Sequence, residues 1–325
     1  MIRILITGAA GFIGSVLCDR LLAKGTAIVI GLDNLDPCYS VLQKRANLCS
    51  AQKDSNFTFY ENDICDPRLL VEVLQAERPA VVVHLAAAVG GRDSFRRPSY
   101  YQATNVVGSR NVLEACRLAD VSQFIMASTA SLYSGFAGPC TEDDPIDTAL
   151  NPYVSSKRAA ETSAEAHHMH YGLKTTILRL CTIYGPRQRP EMGISKFVSG
   201  IDQGEEIRLF GDGSDSRDYL FVDDCVDAII AAIENPRDFD IINVGTGELT
   251  TLNEIVTLIA GTLKKQTRVT YVPHPAGDPR AAGGAIEKAR RLLGFKPRTP
   301  LNRGLVSFVE WYRSNGHLTR RESRV

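Results

Sequence analysis

The sequence has no excess of charge of either sign. Lysine and arginine together number 37, and so do aspartate and glutamate, in a chain of 325 residues. Proteins that bind nucleic acids or anionic membrane surfaces usually carry a basic excess. We therefore expect no nucleic-acid partner and no membrane partner, although this composition leaves room for a local basic pocket.

The cysteines give no sign of a metal site or of a disulfide framework. There are eight of them, scattered without a C-x-x-C pair and without cysteine and histidine at zinc-binding spacing. In a chain of this length, such cysteines are typical of buried thiols in a reducing compartment. We predict no bound metal.

Long hydrophobic runs are also absent. The longest, residues 80–91, is interrupted by His84 and is too short to cross a bilayer. The first residues lead directly into a glycine motif, which leaves no room for a signal peptide. Together with the cysteine pattern, this predicts a soluble, cytoplasmic protein.

The most informative segment that is present is residues 151–157, Asn-Pro-Tyr-Val-Ser-Ser-Lys. Pro152 is typical of the first turn of a helix, which would place Tyr153 and Lys157 on one face, four residues apart. A phenol has a pKa of about 10, and a cation beside it favours the phenolate, which can accept a proton. Taken alone, the pair is more often a tyrosine packed on a lysine side chain. The segments that precede it change that interpretation.

A glycine-rich turn near the start predicts a phosphate-binding site. The strand-like run 2–6 leads into Gly8, Gly11 and Gly14, and a helical pattern follows. Glycines at this spacing let backbone N–H groups approach a pyrophosphate at the start of a helix. Asp33, nineteen residues beyond Gly14, ends the next strand. A carboxylate there can accept from a ribose 2′-hydroxyl and would repel a 2′-phosphate, so NAD is favoured over NADP.

Strand-like and helical patterns alternate through the first half, which predicts an α/β fold with a Rossmann-type doubly wound parallel sheet. The predicted strands are 2–6, 27–32, 57–61, 80–85, 123–127 and 175–180, and the predicted helices are 72–77, 100–118 and 153–171. After residue 185 the pattern loosens. We predict that residues 1–185, rejoined by 218–247, form a NAD-binding domain. Segments 186–217 and 248–325 would form a smaller C-terminal α/β substrate domain.

Hydroxyl groups follow the fifth predicted strand. Thr129 and Ser131 lie at its carboxyl end, where parallel sheets of this type bind ligands. Hydroxyl clusters also cap turns for purely structural reasons, and without further context that explanation is the simpler one.

In this order, the glycine triplet, Asp33, the hydroxyl cluster and Tyr-x-x-x-Lys resemble an extended short-chain dehydrogenase/reductase. More narrowly, they resemble the NAD-dependent nucleotide-sugar epimerase/dehydratase family, over nearly the whole chain. The resemblance implies that Tyr153 is the acid/base, that Lys157 lowers its pKa and binds the nicotinamide ribose, and that Ser131 holds a sugar hydroxyl. The implied NAD contacts are Gly8, Gly11, Phe12, Ile13, Gly14, Asp33, Asn34, Asp63, Ile64, Leu85, Ala86, Ala87, Asn105, Tyr153 and Lys157.

The second half supplies the implied contacts to a nucleotide-sugar substrate. Arg217 suits a diphosphate because a guanidinium can bind two phosphate oxygens at once. Lys196 and Arg189 are further sources of positive charge, although a solvated basic surface would explain Lys196 equally well. The full set of implied substrate contacts is Thr129, Ser131, Thr182, Arg189, Lys196, Arg217 and Asp278.

Two features of the sequence bear on the substrate. The family's dehydratases and decarboxylases usually carry an acid just after the hydroxyl cluster, whereas this chain has Thr129-Ala130-Ser131-Leu132. Thr182 stands where glucose/galactose epimerases commonly have asparagine, and it resembles the UDP-glucuronate 4-epimerase branch. The expected reaction is inversion of C4 of UDP-glucuronate through a transient 4-keto sugar. Ala130 and Ser134 depart from that branch's usual residues.

Other functions stay open at this point. The first alternative is a UDP-glucose/UDP-galactose 4-epimerase, followed by a UDP-glucuronate decarboxylase. A NAD-binding regulatory protein without turnover is the alternative from another class. By the same resemblance, the helices 100–118 and 153–171 would pair with a second copy in a homodimer.

Overall fold

The structure is a computed structural model that describes residues 1–134, 138–146, 150–274 and 281–319. The strands are β1 Ile2–Thr7, β2 Ala27–Asp33, β3 Phe57–Glu61, β4 Val81–His84, β5 Gln123–Thr129, β6 Lys174–Leu180, β7 Thr182–Tyr184, β8 Ile207–Phe210, β9 Ser216–Arg217, β10 Tyr219–Phe221, β11 Phe239–Val244, β12 Thr250–Thr251, β13 Val269–Val272 and β14 Ala281–Ala282.

The α-helices are α1 Phe12–Lys24, α2 Val41–Leu48, α3 Pro67–Glu77, α4 Gly91–Ser94, α5 Pro98–Tyr101, α6 Ser109–Leu118, α7 Pro152–Tyr171, α8 Gly193–Gln203, α9 Val222–Glu234, α10 Leu252–Leu263, α11 Glu287–Leu293 and α12 Leu301–Thr319. A π-helical segment, Gln102–Gly108, joins α5 to α6, and 3₁₀ turns lie at Ala51–Lys53 and Ala130–Tyr133.

Seven parallel strands form the central sheet, in the order β11-β6-β5-β4-β1-β2-β3. The order reverses at β1, which pairs with β2 on one side and with β4 on the other. In such sheets the crevice at the carboxyl ends beside the reversal is the usual ligand site. The predicted doubly wound α/β sheet is confirmed.

Alternate residues of the strands fill two hydrophobic layers. Ile4 and Ile6 of β1 belong to the layer that also contains Leu17 of α1 and Ile229 of α9. Leu5 lies in the opposite layer, together with residues of α3, α6 and α7. Because both faces of the sheet are covered, the central strands β1, β2 and β4 are buried at nearly every position instead of alternating between buried and exposed residues.

Helix α7 begins where the sequence predicted. The Asn151 side chain accepts a hydrogen bond from the backbone N–H of Val154 at 3.0 Å, and Pro152 occupies the first turn. The helix ends at Gly172, whose φ of +70° is the left-handed conformation that glycine adopts readily. The Asn151 cap at the start of the helix fixes the position of Tyr153 in the first turn.

Other boundaries differ from the sequence predictions. Helix α3 starts at Pro67, earlier than expected, because Asp66 caps its first turn. The helix predicted over 100–118 contains the π-helical segment. A helical sequence pattern over 305–312 is part of the longer α12, and the glycine-rich polar segment 211–219, whose composition is typical of a loop, includes β9. Among the described residues, no helix is long and apolar enough to cross a membrane.

The segments between and after the Rossmann elements form small sheets. Strand β8 pairs with β13, β9 lies between β12 and β14, and β7 pairs with β10. The predicted division of the chain into a cofactor domain and a substrate domain remains a prediction.

Candidate active site

Tyr153 lies in the first turn of α7 with 9% of its surface exposed. Burial raises the pKa of its phenol above the ordinary value, while a hydrogen bond with Thr129 and the positive charge of Arg189 lower the pKa by smaller amounts. The ring of Tyr101 meets the ring of Tyr153 edge to face, with centroids 6.2 Å apart. The phenol is therefore a nearly dry group whose proton is sensitive to nearby charge.

Lys157 lies one turn further along α7 and is also buried. Its ammonium donates to the carbonyl oxygen of Ala127 at 2.6 Å. Burial lowers the pKa of Lys157 to about 8, and the Glu161 carboxylate partly opposes this. The expected lowering of the Tyr153 pKa by Lys157 stays a prediction. In the structure, burial raises the pKa of Tyr153, and Thr129 and Arg189 lower it by smaller amounts.

The hydroxyl groups predicted after β5 are grouped at its carboxyl end. Thr129, the last residue of β5, accepts a hydrogen bond from the backbone N–H of Ser131 at 3.1 Å. Ser131 is half-buried in the following 3₁₀ turn, and its carbonyl oxygen accepts from Ser134. Thr129 thus caps a turn and also bonds Tyr153. The hydroxyl cluster therefore has a structural role, and one of its members also contacts the predicted acid/base.

The three glycines form a tight cradle at the carboxyl end of β1. Gly8 has a φ of +74°, and a Cβ atom there would lie 2.8 Å from the backbone nitrogen of Ala86. A Cβ atom on Gly14 would lie 2.1 Å from the carbonyl oxygen of Gly8, and one on Gly11 would lie 3.0 Å from the same oxygen. The turn packs onto the segment that follows β4, and α1 packs onto the turn, only because these positions have no side chains. Phe12 and Ile13 begin α1 here.

Asp33 is buried at the end of β2 and faces the cradle. One carboxylate oxygen accepts from the backbone N–H of Ala10 at 3.1 Å, and the other accepts from that of Leu35 at 2.8 Å. The ammonium of Lys44 lies 3.7 Å from Asp33, with both side chains buried. Asn34 donates to Asp63 at 2.9 Å. These residues line the edge of the crevice formed by β2 and β3.

Lys44 was not found by sequence reasoning. It lies on α2, whose buried positions include Gln43, Lys44 and Asn47. Because the buried face of α2 is largely polar, its sequence lacks the hydrophobic periodicity from which helices are usually predicted. The signal that was present is Ser40, which caps the helix by accepting from the backbone N–H of Gln43.

A hydrogen-bond chain connects the glycine turn to the Tyr153 helix. Thr7 bonds His84 at 2.7 Å, His84 bonds Ser109 at 2.9 Å, and Ser109 donates to the carbonyl oxygen of Asn105 at 2.6 Å. Because the Ser109 proton goes to Asn105, the His84 Nε2 atom carries the hydrogen, and Nδ1 accepts from Thr7. Burial lowers the pKa of His84 to about 3, which keeps the ring neutral.

Asn105, in the π-helical segment, holds two neighbouring segments together. Its amide nitrogen donates to the carbonyl oxygen of Ala88 and to the hydroxyl of Ser156, both at 2.9 Å. Its amide oxygen accepts from the backbone N–H of Ala88 at 2.8 Å. Wide helical turns of this type are frequent at functional sites because they redirect a side chain. Here the turn aims Asn105 between α7 and the residues that follow β4.

The remaining predicted cofactor residues lie along the same crevice. The backbone N–H of Leu85 donates to the carbonyl oxygen of Thr7 at 3.1 Å, and that of Ala86 donates to the Thr7 hydroxyl at 3.2 Å. Ala87 follows them, half-buried, and Ile64 is buried at the end of β3. The structure therefore places the predicted cofactor residues around the carboxyl edge of β1, β2, β3 and β4, in the π-helical segment and on α7.

The predicted substrate residues are less uniformly grouped. Thr182 begins β7 beside Asp218, whose carbonyl oxygen accepts its backbone N–H at 2.9 Å. Arg217 is half-buried on β9, and Lys196 is exposed on α8. Arg189 is half-buried near the Val89 carbonyl oxygen and acts electrostatically on Tyr153. Asp278 lies outside the described residues.

Metal ligands do not gather within the part of the chain that the structure describes. No group of three or more histidine, cysteine, aspartate or glutamate side chains there could hold an ion. All eight cysteines are free thiols.

Comparison with known proteins identifies what the chain is similar to. Residues 4–245 match the model of the NAD dependent epimerase/dehydratase family. A UDP-glucuronate 4-epimerase of Thermodesulfobacterium geofontis is 35% identical over 312 residues, 96% of each chain. A UDP-glucose 4-epimerase of Mycolicibacterium smegmatis is 38% identical over 317 residues, 96% of this chain and 99% of that one. The crystal structure of the Bacillus cereus UDP-glucuronic acid 4-epimerase with UDP-glucuronic acid and NAD superposes with a TM-score of 0.91 at 32% identity, covering 96% of this chain and 99% of that one.

Proposed function

This chain belongs to the NAD dependent epimerase/dehydratase family, and on that premise we propose that it is an NAD-dependent epimerase that converts UDP-glucuronate to UDP-galacturonate. The observation that carries the proposal is the position of Tyr153, buried beside Thr129 at the carboxyl edge of β5. Relatives with UDP-glucuronate 4-epimerase activity in their names match the chain over nearly its whole length, which supports the same substrate.

The described residues fit NAD. The glycine cradle leaves room that a Cβ atom would fill, and the start of α1 offers backbone N–H groups for a pyrophosphate. Asp33 has a buried carboxylate at the end of β2, which suits a ribose hydroxyl and not a 2′-phosphate. When bound, NAD supplies the hydride acceptor and hydride donor that C4 inversion requires. Because the cofactor is regenerated in each turnover, it remains with the protein.

The residues around Tyr153 move the proton. Tyr153 takes the proton from O4 of the sugar as C4 is oxidised, and it returns that proton when C4 is reduced from the other face. Ser131 and Thr129 hold the sugar hydroxyl in reach of the phenol. Lys157, whose ammonium donates to the Ala127 carbonyl oxygen, would bind the nicotinamide ribose. Between the two steps the 4-keto sugar turns over within the site.

Thr182 and Arg189 suit a sugar with a C6 carboxylate. The 4-keto form of a hexuronate is a β-keto acid, which loses CO₂ when the C5–C6 bond aligns with the ketone. Hydroxyl donors from Thr182, Thr129 and Ser131, together with the charge of Arg189, can hold the carboxylate away from that alignment. Lys196, Arg217 and Asp278 would contact the nucleotide diphosphate and its ribose.

A neutral sugar is the second candidate. The UDP-glucose 4-epimerase of M. smegmatis is 38% identical to this chain, slightly more than the UDP-glucuronate 4-epimerase of T. geofontis. The acid/base chemistry at C4 is the same for both sugars, so only the environment of C6 distinguishes them. Decarboxylation and a non-catalytic regulatory role have less support, because the hydroxyl cluster has no neighbouring acid and the Tyr153 site is intact.

The test is turnover of two substrates by the purified protein without added cofactor. NMR of the products should show UDP-galacturonate from UDP-glucuronate and little change in UDP-glucose. Turnover of UDP-glucose alone would assign the neutral sugar, and a pentose product with CO₂ would assign a decarboxylase. Thr182→Asn should reduce turnover of UDP-glucuronate relative to UDP-glucose, whereas Thr257→Asn on the exposed face of α10 should leave the ratio unchanged.

We also propose that the protein is a homodimer. Residues from the start of α7, from α5 and from the π-helical segment line an apolar groove, in which Phe95 is 51% exposed and Val107 46% exposed. A second copy would cover these side chains by pairing the same helices. Light scattering should give twice the mass of the chain, and Val107→Glu should give the monomer.

Two further assignments rest on the same premise. Residues 1–185 and 218–247 would hold NAD, and 186–217 with 248–325 would hold the nucleotide-sugar. The eight free cysteines favour a reducing, cytoplasmic location.

A further inference from the structure

The loop between β7 and α8, residues 185–192, has an unusual backbone. Arg187 has a φ of +72°, in the left-handed region that residues other than glycine seldom adopt. Such a conformation persists only where surrounding contacts impose it, and it is concentrated at functional sites. The contacts that impose it here come from the cofactor side of the molecule.

The first contact joins the loop to α1. The Arg187 guanidinium donates to the Asp19 carboxylate at 2.7 Å, with 22% and 25% of the two side chains exposed. Helix α1 begins at the glycine cradle, so its position and that of the loop depend on each other. Half-buried charge-assisted pairs of this kind fix geometry better than exposed ones do.

The second contact joins the loop to α2. The Gln43 amide nitrogen donates to the carbonyl oxygen of Arg187 at 3.1 Å. Within the loop, Gln188 donates to the carbonyl oxygen of Ile183 at 2.9 Å and accepts from Ser195 at 2.9 Å. Gln43 immediately precedes Lys44, which contacts Asp33. The loop is thus tied to both helices that border the predicted NAD site.

Two residues after Arg187, the same loop presents Arg189 to the acid/base. The Arg189 guanidinium lies over the ring of Tyr39, 6.0 Å from its centroid, and donates to the Val89 carbonyl oxygen at 3.4 Å. The Tyr101 hydroxyl donates to the same Val89 oxygen at 3.2 Å, and the Tyr101 ring packs against the Tyr153 ring, so Arg189 lies near both phenols. Its positive charge lowers the pKa of Tyr153 and the pKa of Tyr101.

Several other groups surround the Tyr153 phenol. Thr129 bonds it, the Tyr101 ring packs against it, and Lys157 lies one turn away on the same helix. Asp93 and Arg97 act on the neighbouring Tyr101. Among these groups, Arg189 is the charged one that lies on the loop between β7 and α8.

We propose that Arg187 is a positioning residue: its ion pair with Asp19 and the hydrogen bond from Gln43 hold the loop so that Arg189 stays beside Tyr153. This inference rests on the proposed role of Tyr153 as the acid/base. Arg187 itself touches neither the phenol nor the sugar. It acts through Arg189. The position of the Arg189 charge relative to Tyr153 therefore depends on the positions of α1 and α2.

Three variants test the inference in the NAD-loaded protein. Arg187→Gly removes the ion pair with Asp19, and because glycine adopts the left-handed backbone readily, a shift of Arg189 would report the lost ion pair and not new backbone strain. Asp19→Asn removes the charge of the partner and keeps its size. Arg20→Ala is the matched control, because Arg20 is the next residue on α1 and pairs with Asp223 and Asp227 of α9 instead of the loop.

Two readouts apply to each variant. The titration of Tyr153 is followed by NMR of protein carrying ¹³C at the tyrosine Cζ atoms, with Tyr153→Phe assigning the resonance. The second is kcat and KM for UDP-glucuronate across pH. We expect both loop variants to raise the pKa of Tyr153 by roughly one unit, since the effect of a nearby opposite charge is of that order. We expect kcat to fall on the order of tenfold. The acid limb of the profile of kcat against pH should move to higher pH.

A structural role alone would give a different result. If both loop variants lowered thermal stability but left the Tyr153 titration and the kcat of the folded fraction equal to those of Arg20→Ala, the inference would be overturned. Failure of the proposed function is separate, because it would appear as an inactive wild-type protein. The NMR titration would still decide the role of Arg187 in that case.

Discussion

Arg179 and Glu161 form a two-pronged ion pair inside the protein. The Arg179 Nε atom lies 3.0 Å from one carboxylate oxygen and Nη2 lies 2.8 Å from the other, and each side chain is 1% exposed. Glu161 is one turn beyond Lys157 on α7, and Arg179 is on β6. Arg179 also donates to the Tyr133 hydroxyl, which donates to Asn243 of β11. The pair therefore fixes the Tyr153 helix to the sheet.

Glu161→Gln should destabilise the fold strongly. The change leaves a buried guanidinium without its counter-charge, for which the expected loss is about 3–5 kcal/mol of unfolding free energy. Glu114→Gln, which breaks an exposed pair with Arg117, should cost less than about 1 kcal/mol. Urea unfolding of both variants measures the difference, and similar losses would contradict the buried-pair argument.

Tyr153→Phe should abolish most turnover and spare cofactor retention. Loss of an acid/base group lowers kcat by roughly 10²- to 10⁴-fold. The ring keeps its packing against Tyr101, so NAD released on denaturation should equal that of the wild type. Tyr171→Phe, at an exposed site at the end of α7, is the control for loss of a phenol. Normal turnover of Tyr153→Phe would exclude the mechanism.

Lys157→Met should stabilise the cofactor-free protein while inactivating it. The pKa of Lys157 falls from 10.5 in the unfolded chain to about 8 in the folded one, mainly through burial. Below pH 8 both states hold the proton, and its burial costs roughly 2–4 kcal/mol. Between pH 8 and 10.5 only the unfolded chain holds it, so the contribution of Lys157 to stability rises with pH.

The measurement for Lys157→Met is the unfolding free energy from pH 7 to 10.5. The variant should gain roughly 2 kcal/mol at pH 7, less than the full proton cost because the bond to Ala127 is lost, and its pH slope should flatten. Lys174→Met, on an exposed lysine, should retain the wild-type slope. If the advantage of the variant over the wild type did not shrink over this interval, the sign would be contradicted.

Gly14→Ala should prevent NAD retention. The new Cβ atom would meet the Gly8 carbonyl oxygen at 2.1 Å, so α1 must move away from β1. Overpacking of this kind costs about 1–3 kcal/mol or more. Gly25→Ala meets no atom within 4 Å and only strains a φ of +66°, so it should cost about 1 kcal/mol and keep the cofactor. Bound NAD and melting temperature of both variants measure this.

The strands of the first half and its longest helix could be predicted because each has its own local signal. Val81–His84, for example, is buried at every position because both faces of the sheet are covered. Asn151 and Pro152 are typical of a helix start and predict the beginning of α7. The glycine triplet follows a strand and precedes a helix. The positions of Tyr153, Thr129 and Asp33 at one edge then follow from the parallel order of the strands.

What could not be predicted depends on contacts between distant segments. Helix α2 buries Gln43, Lys44 and Asn47, so its pattern is the reverse of an amphipathic helix. The two-residue strand β9 exists because β12 and β14 pair with it. The π-helical turn at Asn105 arises from bonds to Ala88 and Ser156, which no local pattern records.

The effects of burial and charge on the pKa of Tyr153 were the part of the site chemistry that the sequence could not show. Sequence spacing shows that Lys157 lies on the same helical face, but it does not show that both groups are buried. Burial favours the neutral phenol, and it also favours the neutral amine of Lys157, whose pKa it lowers to about 8. The positive charge that the structure adds comes from Arg189, whose distance in sequence from Tyr153 gives no hint of the contact.

The place of β11 at the edge of the sheet has a consequence for synthesis of the chain. Six of the seven strands are complete when the ribosome has added Leu180, but β6 has no partner on its outer side until Phe239–Val244 emerges. During that interval the nascent chain presents a row of unpaired backbone groups, which is a template for aggregation. A fragment that ends after β7 would keep this exposed edge permanently, so the first half of the protein is poorly suited to be made alone.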